Sequence, residues 1–400
     1  MNRQGRWALF LGIFLFVSAS SLAVAKSEDI VIGKRASIHS KVLAEDRTIY
    51  IHTPDGYEDG DEEYPVLYVL DGMSFFQLAA GILKYHAMFY VLPKMIVVGI
   101  PNTNRNRDLT PTSSNIYQGK AVDWLANTGG ADTMLKFMAD ELFPYIEAHY
   151  RTQPFRIIAG HSFGALFAAH ALLSRPELFN AYVCISTSFW FDNNVLTRRA
   201  ASKQPPAVFA KRFLYLSVGG RESSMQLNAN HEFVDFLRER RPEGLKWTFD
   251  YMGEEEHGSQ GIKAMVNGLE FVFSNWRQPP HEYEKGLDAV VDHFDKLSRS
   301  YGTVIKVPKD HIINYGYTML NKGEHRSAIE FFKYYAARFP NDPNAFDCLG
   351  EGYEKSGQLR PALENYEKAC KIAEAGKDPR LETFKGNLAR AREKLQQKDG

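Results

Sequence analysis

The sequence predicts an α/β protein with a mostly parallel sheet and helices on both faces, followed by an all-helical segment. Two observations predict the sheet: near-continuous apolar runs that end in turn residues, and helical patterns between those runs. The third is a change of composition after NWRQPPHEYEKG, beyond which the chain is polar and helical in pattern. We therefore expect one domain over residues 26–277, a helical connection over 278–308 and a second domain over 309–400.

The predicted strands begin close after the N-terminal segment and alternate with helical patterns. In order they are RTIYIHTP from Arg47, YPVLYVLDG from Tyr64, KMIVVGI from Lys94, FRIIAG from Phe155, AYVCIS from Ala181, RFLYLSVGG from Arg212 and KWTFDYM from Lys246. The clearest helical patterns between them are ADTMLKFMADELFPYIEAHY and HEFVDFLRERR. Strands that are apolar along their whole length are typical of a sheet buried on both faces.

Residues 1–25 have the pattern of a secretory signal peptide. Arg3 and Arg6 form a basic start, Trp7–Val17 is a short apolar core, and Ala23–Ala25 is a small-residue cleavage pattern. Serines interrupt the apolar run before it reaches the length of a membrane span. We expect a periplasmic or secreted protein without a stable membrane span; the alternative is an uncleaved anchor helix.

Charge and cysteine content narrow the class of protein. The chain has 48 Lys and Arg residues and 48 Asp and Glu residues, so its net charge does not indicate a nucleic-acid partner. Its three cysteines, Cys184, Cys348 and Cys370, do not have the number or spacing of a disulfide framework. A Cys348–Cys370 bridge is not predicted, and no Cys/His spacing typical of a metal site is present in the sequence.

Residues 309–400 contain an internal repeat of 34 residues, the length of a tetratricopeptide unit. The first copy has Ile312, Tyr315, Gly316, Met319, Ala328 and Phe332 where the second has Phe346, Leu349, Gly350, Tyr353, Ala362 and Tyr366. The small residues let paired helices approach, and the large ones fill the space between them. We predict two tetratricopeptide-like repeats closed by a polar capping helix over 378–397; the alternative is an unrelated amphipathic tail.

The most specific motif is Gly160-His161-Ser162-Phe163-Gly164, which matches G-x-S-x-G after an apolar strand and before a helical pattern. A serine hydroxyl is a weak nucleophile and has to be presented to a base. A sharp strand-to-helix turn presents it, and glycines at both ends avoid steric clashes. Ser162 is therefore the candidate nucleophile; the alternative is a structural turn serine.

The matching acid and base are expected later in the chain, each after a strand. Glu222 follows LYLSVGG, and His257 follows the strand that ends at Met252. His257 would act as general base, and Glu222 would orient its ring and stabilise the imidazolium. The weaker candidates are Asp250 and Glu254–Glu256 for the acid, and His161 and His231 for the base.

An oxyanion needs two backbone donors near the nucleophile. The N–H of Phe163, at the start of the helix, is the natural first donor. The second is expected in the loop after an early strand, at Met73, with Gly72 leaving room for the backbone. Asp71 would tie this loop in place; the alternative is an ordinary Asp-Gly turn.

Three further side chains are candidates for contact with the substrate. Arg105 and Arg107 could bind an anionic group, although an internal salt bridge that also uses Asp108 is the favoured alternative. Trp190 could form the wall of an apolar acyl or aryl pocket, and a role in the core is the alternative.

Several longer stretches carry a family resemblance. They are LDGMSFF, GIPNTNRNRDLTPT, NTGGADTMLKFMADELFPYIEAHYRT, IIAGHSFGALFAAHALLSRPELFNAYVCISTSFWFDNN and EEEHGS. Together they cover about residues 38–273 and resemble the esterase D-type esterases of the α/β-hydrolase fold, which include siderophore and feruloyl esterases. Some exported bacterial members resemble the whole chain, including C-terminal tetratricopeptide repeats.

The resemblance implies Ser162 as nucleophile, His257 as base and Glu222 as acid, with no metal and no organic cofactor. The sequence departs from the family pattern at two positions. Ala165 stands where many relatives have a second glycine, and Thr187 where many have proline. Neither departure removes a residue of the triad, but both weaken any inference about the substrate.

We therefore expect an exported serine hydrolase that cleaves carboxylic esters through an acyl-enzyme on Ser162. The expected substrate is a small-molecule ester, either a siderophore ester or another acyl or aryl ester. The alternative is a non-catalytic scaffold that recruits a protein partner through the C-terminal repeats. Nucleic acid is not an expected partner.

Overall fold

The computed structural model describes residues 29–202, 209 and 211–399. Residues 33–400 form one compact unit, and the fold given below is that of this unit. The predicted signal peptide, residues 1–25, lies outside the described residues. The sheets and helices below are those of the described residues.

The main sheet has eight strands in the order β1-β2-β4-β3-β7-β8-β9-β10, and β5 and β6 form a separate hairpin. Every pairing from β4 across to β10 is parallel, whereas β1 pairs with β2, and β2 with β4, in antiparallel fashion. The strands are β1 Lys34–Ser40, β2 Glu45–His52, β3 Tyr64–Leu70, β4 Ile96–Ile100, β5 Ile116–Tyr117, β6 Lys120–Ala121, β7 Thr152–His161, β8 Ala181–Ile185, β9 Arg212–Gly219 and β10 Leu245–Met252.

Helices cover both faces of the sheet and continue beyond it. They are α1 Gly72–Met88, α2 Arg105–Leu109, α3 Ala131–Phe137, α4 Phe143–His149, α5 Phe163–Ser174, α6 Phe191–Ser202, α7 Ser224–Arg240, α8 Gly261–Val272, α9 Pro280–Tyr283, α10 Leu287–Tyr301, α11 Lys309–Asn321, α12 His325–Arg338, α13 Pro343–Lys355, α14 Leu359–Gly376 and α15 Leu381–Asp399. The predicted fold class, a mostly parallel sheet of the α/β-hydrolase type followed by a helical region, is confirmed.

The continuous apolar runs reflect burial on both faces of the sheet. Along β3, Val66 and Tyr68 point into one core, whereas Leu67 and Val69 point into the other. All seven residues of β3 are buried. Alternate residues of a strand face opposite sides of a sheet, so both sets of positions must be apolar when helices cover both sides.

Two local features differ from the sequence-based reading. β1 was not predicted, because it is an edge strand whose residues are mostly exposed and lack an apolar run. The helical pattern from Ala131 to His149 is interrupted by one π-helical turn at Met138–Leu142, which joins α3 to α4. The interruption keeps the apolar positions of both helices buried while changing their phase.

The C-terminal helices form two hairpins, α11–α12 and α13–α14, whose corresponding helices start 34 residues apart, at Lys309 and Pro343 and at His325 and Leu359. A Cβ atom on Gly316 would overlap the ring of Phe332, and one on Gly350 would lie 2.7 Å from the ring of Tyr366. Glycine is thus needed at the same place in each hairpin, because a large ring fills the space beside it.

The helical region shares a core with the sheet. Its buried residues and those of one sheet face form a single cluster that extends from Ile157 through Phe294 to Phe332. No helix in the described part of the chain is long and apolar enough to cross a membrane. The predicted boundaries at residues 277 and 309 remain predictions.

Candidate active site

The candidate site lies where four parallel strands end at one edge of the sheet. β7, β8, β9 and β10 are neighbours in that order. Their carboxyl ends are followed by Ser162, Ser186, Glu222 and His257, respectively. Loops at the carboxyl ends of parallel strands meet at the same sheet edge, which explains how residues nearly 100 positions apart come together.

Ser162 occupies a sharp turn between β7 and α5. Its backbone has φ 60° and ψ −115°, a conformation that non-glycine residues rarely adopt. A Cβ atom on Gly160 would overlap the backbone of Gly164, and one on Gly164 would lie 3.2 Å from Asp71 Oδ2. The two glycines of the motif therefore permit the close approach that forces Ser162 into this turn.

The Ser162 hydroxyl lies beside Ser188, at 3.1 Å between the two Oγ atoms. Among the described residues, no hydrogen bond joins Ser162 to His257. The adjacent residue, His161, brings the two segments together: its Nε2 donates to the His257 carbonyl oxygen at 2.7 Å. The centres of the His161 and His257 rings are 4.5 Å apart. Ser162 is therefore next to a residue that packs directly on His257.

His257 and Glu222 form a hydrogen-bonded ion pair, with 2.7 Å between Nδ1 and Oε2. The Glu222 side chain is 2% exposed, whereas that of His257 is 47% exposed. An ionised carboxylate can only accept, so Nδ1 carries the proton and donates it to Glu222. The other ring nitrogen, Nε2, is then free to accept a proton from a nucleophile.

Four donors surround the Glu222 carboxylate. Besides His257, they are the Ser186 hydroxyl, the Gly219 N–H at 2.8 Å and Gln260 Nε2 at 2.6 Å. Burial raises the pKa of Glu222, but the hydrogen bonds outweigh burial and hold that pKa below its usual range. Glu222 is therefore an anion at neutral pH, as a partner of an imidazolium must be.

The structure separates Glu222 from the other acidic candidates. Glu254 pairs with Arg221, and Glu255 pairs with Lys263 and accepts from Ser259. Asp250 accepts from Tyr215 and Asn267. None of these carboxylates bonds to a ring nitrogen of His257 in the described residues, and Glu222 does.

The two predicted oxyanion donors lie at neighbouring helix starts. Phe163 is the first residue of α5, and Met73 is the second of α1. Neither N–H has a hydrogen-bond partner among the described residues, which is normal for the first turn of a helix. A Cβ atom on Gly72 would lie 2.6 Å from the Ile100 backbone nitrogen, so glycine is needed for the close approach of α1 to β4.

The arginine candidates are engaged in internal ion pairs. Arg105 binds both oxygens of Asp71, at 2.7 and 2.9 Å, and thereby holds the start of α1. Arg107 donates to Glu45 and Asp108, and these bonds raise its pKa above the ordinary value. Both arginines thus have the structural role that was the alternative, and contact with a substrate remains a prediction.

Trp190 belongs to an aromatic cluster beside the nucleophile turn. Its ring centre lies 5.2 Å from Tyr117, 6.4 Å from Trp124 and 5.8 Å from Phe163, the residue after Ser162. Tyr117 is in the β5–β6 hairpin, and Trp124 is 51% exposed. The cluster offers ring faces and edges at the mouth of the site, which suits an apolar or aryl group.

Sequence reasoning missed Ser186, Ser188, Gln260, Tyr117 and Trp124. Ser186 and Ser188 could have been found with the rule used for Glu222 and His257, because CISTSFW places polar residues directly after a strand. Gln260 and the two aromatic residues have no such signal. They come from a helix start, a short hairpin and a turn, whose positions depend on tertiary packing.

Metal ligands and disulfides are not part of the described site. Across residues 29–202, 209 and 211–399, no group of three or more His, Cys, Asp or Glu side chains is arranged to hold a metal ion. Cys184, Cys348 and Cys370 are free thiols. Burial raises the pKa of Cys348 to about 12, so this thiol is not a nucleophile at neutral pH.

Comparison with known proteins adds a family. The model of the family described as "Putative esterase" matches residues 40–267. The match includes the strands and loops that carry Ser162, Glu222 and His257. It covers more than half of the 400 residues of the chain.

Individual relatives agree with that match. The crystal structure of an IroE-like serine hydrolase from Shewanella oneidensis is 29% identical with a TM-score of 0.68, over 75% of this chain and 98% of that one. The siderophore enterobactin esterase of Emericella nidulans is 32% identical over 178 residues, 39% of this chain and 57% of that protein. The uncharacterized protein YbbA of Bacillus subtilis is 24% identical over 250 residues, 60% of this chain and 97% of that protein. This chain thus spans little more than half the length of the fungal esterase.

Proposed function

Because the chain belongs to this esterase family and is a carboxylic ester hydrolase, we propose that Ser162 is its nucleophile and forms an acyl-enzyme. The observation that carries the proposal is the His257–Glu222 hydrogen bond, at 2.7 Å, at the sheet edge where Ser162 sits in a strained turn. An oriented imidazole beside a presented hydroxyl is the arrangement that activates a serine.

In the proposed mechanism, His257 Nε2 takes the Ser162 proton while Ser162 Oγ attacks the ester carbonyl carbon. The carbonyl oxygen becomes an oxyanion, which accepts from the N–H groups of Phe163 and Met73. The C–O bond to the alcohol then breaks, and the imidazolium gives its proton to the leaving alkoxide. A water molecule repeats the attack on the acyl-enzyme, releasing the acid and restoring Ser162.

The nucleophile has to change partner before this reaction. Its hydroxyl lies 3.1 Å from Ser188 Oγ in the free protein. Rotation about the Ser162 Cα–Cβ bond would redirect it toward His257, whose ring packs against the preceding residue. Catalytic hydrogen bonds in free enzymes are often loose and become short only with bound substrate.

The proposed substrates are small-molecule esters with an acyl or aryl group, including siderophore esters. The aromatic cluster of Tyr117, Trp124 and Trp190 supports this class, because it lies beside Phe163 at the nucleophile turn. The printed names of two relatives, a siderophore esterase and an IroE-like hydrolase, support an ester of the siderophore type.

The test of the nucleophile compares Ser162→Ala with the parent on p-nitrophenyl butyrate and with a fluorophosphonate label. We expect an initial burst of nitrophenol and covalent labelling in the parent. In Ser162→Ala both should be absent, with kcat lower by at least about a thousandfold. Ser174→Ala is the control, since this hydroxyl at the far end of α5 only bonds to the His170 carbonyl. Hydrolysis by Ser162→Ala at the parent rate would refute the proposal.

Export to the periplasm or the medium is proposed from the pattern of residues 1–25. The pattern predicts cleavage after Ala25. N-terminal sequencing of protein recovered from the producing cells, combined with fractionation, tests it. A mature chain that starts at Lys26 is expected, and a chain that retains Arg3 would support the anchor alternative.

We also propose that the two C-terminal hairpins are tetratricopeptide-type repeats. Their 34-residue spacing and the repeated glycine-to-ring contacts support this. The repeats also support the alternative function, a scaffold that binds a protein partner. If the full chain neither hydrolyses esters nor reacts with a fluorophosphonate, the scaffold alternative is favoured over the enzyme.

A further inference from the structure

We infer that Ser186 is a positioning residue for the proposed triad: its buried hydroxyl holds Glu222 and determines which nitrogen of His257 carries the proton. Ser186 directly follows β8, between the strand that leads to Ser162 and the strand that leads to Glu222. The inference rests on the proposed function, because it assigns Ser186 a task within that reaction.

Ser186 contacts both other members of the acid–base pair. Its Oγ lies 2.7 Å from each Glu222 oxygen and 2.8 Å from His257 Nδ1. The residue is 0% exposed, so it cannot touch a substrate. Any effect of Ser186 on the reaction must therefore pass through Glu222 and His257.

The direction of these hydrogen bonds follows from Gln226. Gln226 Nε2 lies 3.0 Å from Ser186 Oγ, and 2.9 and 3.0 Å from the carbonyl oxygens of Ser186 and Thr187. The opposite amide orientation would place an oxygen against two carbonyl oxygens, so the nitrogen is correctly assigned. Gln226 therefore donates to Ser186 Oγ, and the Ser186 hydrogen remains available for another acceptor.

That hydrogen has two acceptors to choose from, the Glu222 carboxylate and His257 Nδ1. The carboxylate is charged and presents two oxygens at 2.7 Å, so it is the stronger acceptor. Nδ1 then keeps its own hydrogen and shares it between Glu222 Oε2 and Ser186 Oγ. This leaves Nε2 without a hydrogen, which is the tautomer that can accept the Ser162 proton.

The other donors to Glu222 cannot replace Ser186. The Gly219 N–H and Gln260 Nε2 both bond to Oε1. The oxygen that faces the imidazole, Oε2, accepts from His257 and Ser186 alone in the described part of the chain. Removing the Ser186 hydroxyl would leave that oxygen with a single donor.

The backbone holds Ser186 in place at some cost. Its φ is 47°, in the left-handed region that serine rarely adopts. Its N–H donates to the Ser217 carbonyl at 2.9 Å, and its own carbonyl accepts from Gln226. These bonds fix the turn, and the turn aims the hydroxyl at the acid–base pair.

The test is Ser186→Ala, which keeps the Cβ atom and removes only the hydroxyl. We expect kcat for p-nitrophenyl butyrate to fall about tenfold to a hundredfold, the effect of losing one hydrogen bond to a charged group, with KM unchanged. The acid limb of the kcat–pH profile should move to higher pH, because the Glu222 carboxylate loses a donor that favours its ionised form. Ser186→Cys, with a weaker donor, should fall between parent and Ser186→Ala.

Thr187→Val is the matched control. Thr187 is the next residue and equally buried, and its hydroxyl has no hydrogen-bond partner among the described residues. We expect parent kcat, KM and pH profile for this variant. A loss in Thr187→Val equal to that in Ser186→Ala would overturn the inference, because packing alone would then explain both.

The remaining outcomes separate this inference from the proposed function. Parent kcat and pH profile in Ser186→Ala, with Ser162→Ala inactive, would overturn the role of Ser186 and leave the function standing. Full activity in Ser162→Ala would overturn both. If Ser186→Ala fails to fold, Ser186→Cys decides: a lower kcat with the same shift of the acid limb supports the inference, and parent behaviour overturns it.

Discussion

At the residue scale, His161 links the nucleophile turn to the loop that carries the proposed base. It stands directly before Ser162 and donates to the His257 carbonyl. Burial, and then the neighbouring His257, lower the pKa of His161, so it stays uncharged at neutral pH. A neutral donor can hold the loop without adding a second positive charge beside the imidazolium that forms during the reaction.

Glu222 gives a residue-scale prediction about pH. A carboxyl whose pKa is lower in the folded than in the unfolded chain stabilises the fold above its ordinary pKa, about 4.3. That contribution is lost as the pH falls through the folded pKa. In urea titrations, the free energy of unfolding of the parent should therefore exceed that of Glu222→Gln most above this value, and the difference should shrink toward acid pH.

The same variant should lose activity, because glutamine cannot stabilise an imidazolium. We expect kcat to fall on the order of a thousandfold or more at neutral pH. Glu254→Gln is the control: this carboxylate is 84% exposed and pairs with Arg221. Equal losses in the two variants would contradict the assignment of Glu222 as the acid.

At the element scale, short segments outside the main sheet shape the mouth of the site. The β5–β6 hairpin supplies Tyr117, and the following turn supplies Trp124. On the opposite side, α6 begins at Phe191 and continues through three successive left-handed residues at Asp192–Asn194. Asp192 accepts from Thr112, which ties this turn to the segment before the hairpin.

The aromatic cluster gives an element-scale prediction about substrate preference. Trp124→Ala removes an exposed ring that lies 5.2 Å from Tyr117 and 6.4 Å from Trp190. We expect KM for naphthyl butyrate to rise about fivefold to tenfold, the value of an aromatic contact of about 1 kcal/mol, while KM for ethyl butyrate stays constant. Trp124→Phe, which keeps a ring, should lie near the parent. An equal rise for both esters would contradict aryl recognition.

At the scale of the whole molecule, the helical region and the sheet are held by one aromatic core. Tyr301, at the end of α10, has its ring centre 5.4 Å from Phe155, 5.5 Å from Phe213 and 5.6 Å from Phe273. Its hydroxyl donates to the Val272 carbonyl at 2.9 Å. α10 falls in the stretch read as a connection between domains, and it packs as part of the sheet's own covering layer.

This packing predicts a shared loss of stability. Tyr301→Ala should lower the free energy of unfolding by about 3–5 kcal/mol, the usual cost of deleting a buried aromatic ring. Tyr301→Phe, which loses only the hydrogen bond, should cost about 1 kcal/mol. In urea, esterase activity and helical circular dichroism should be lost together. Two separate transitions, with activity unaffected, would show that the two regions unfold independently.

Much of this organisation was predictable because it depends on neighbours in the chain. The apolar runs predicted seven strands of the main sheet, and the glycines around Ser162 predicted its turn. The repeat of 34 residues likewise predicted where α11 and α13 begin. β1 and the β5–β6 hairpin were not predictable in this way, because exposed or very short strands have no apolar run to mark them.

The sequence by itself determined the alternation of strands and helices and the strained serine turn, since backbone sterics and the burial of apolar residues act over a few neighbouring positions. Only the tertiary structure decided which carboxylate meets His257 and that Ser186 joins them. It alone also brought Ser188 against Ser162 and α10 onto the sheet. These contacts depend on the order and register of parallel strands, because that order determines which loops share an edge.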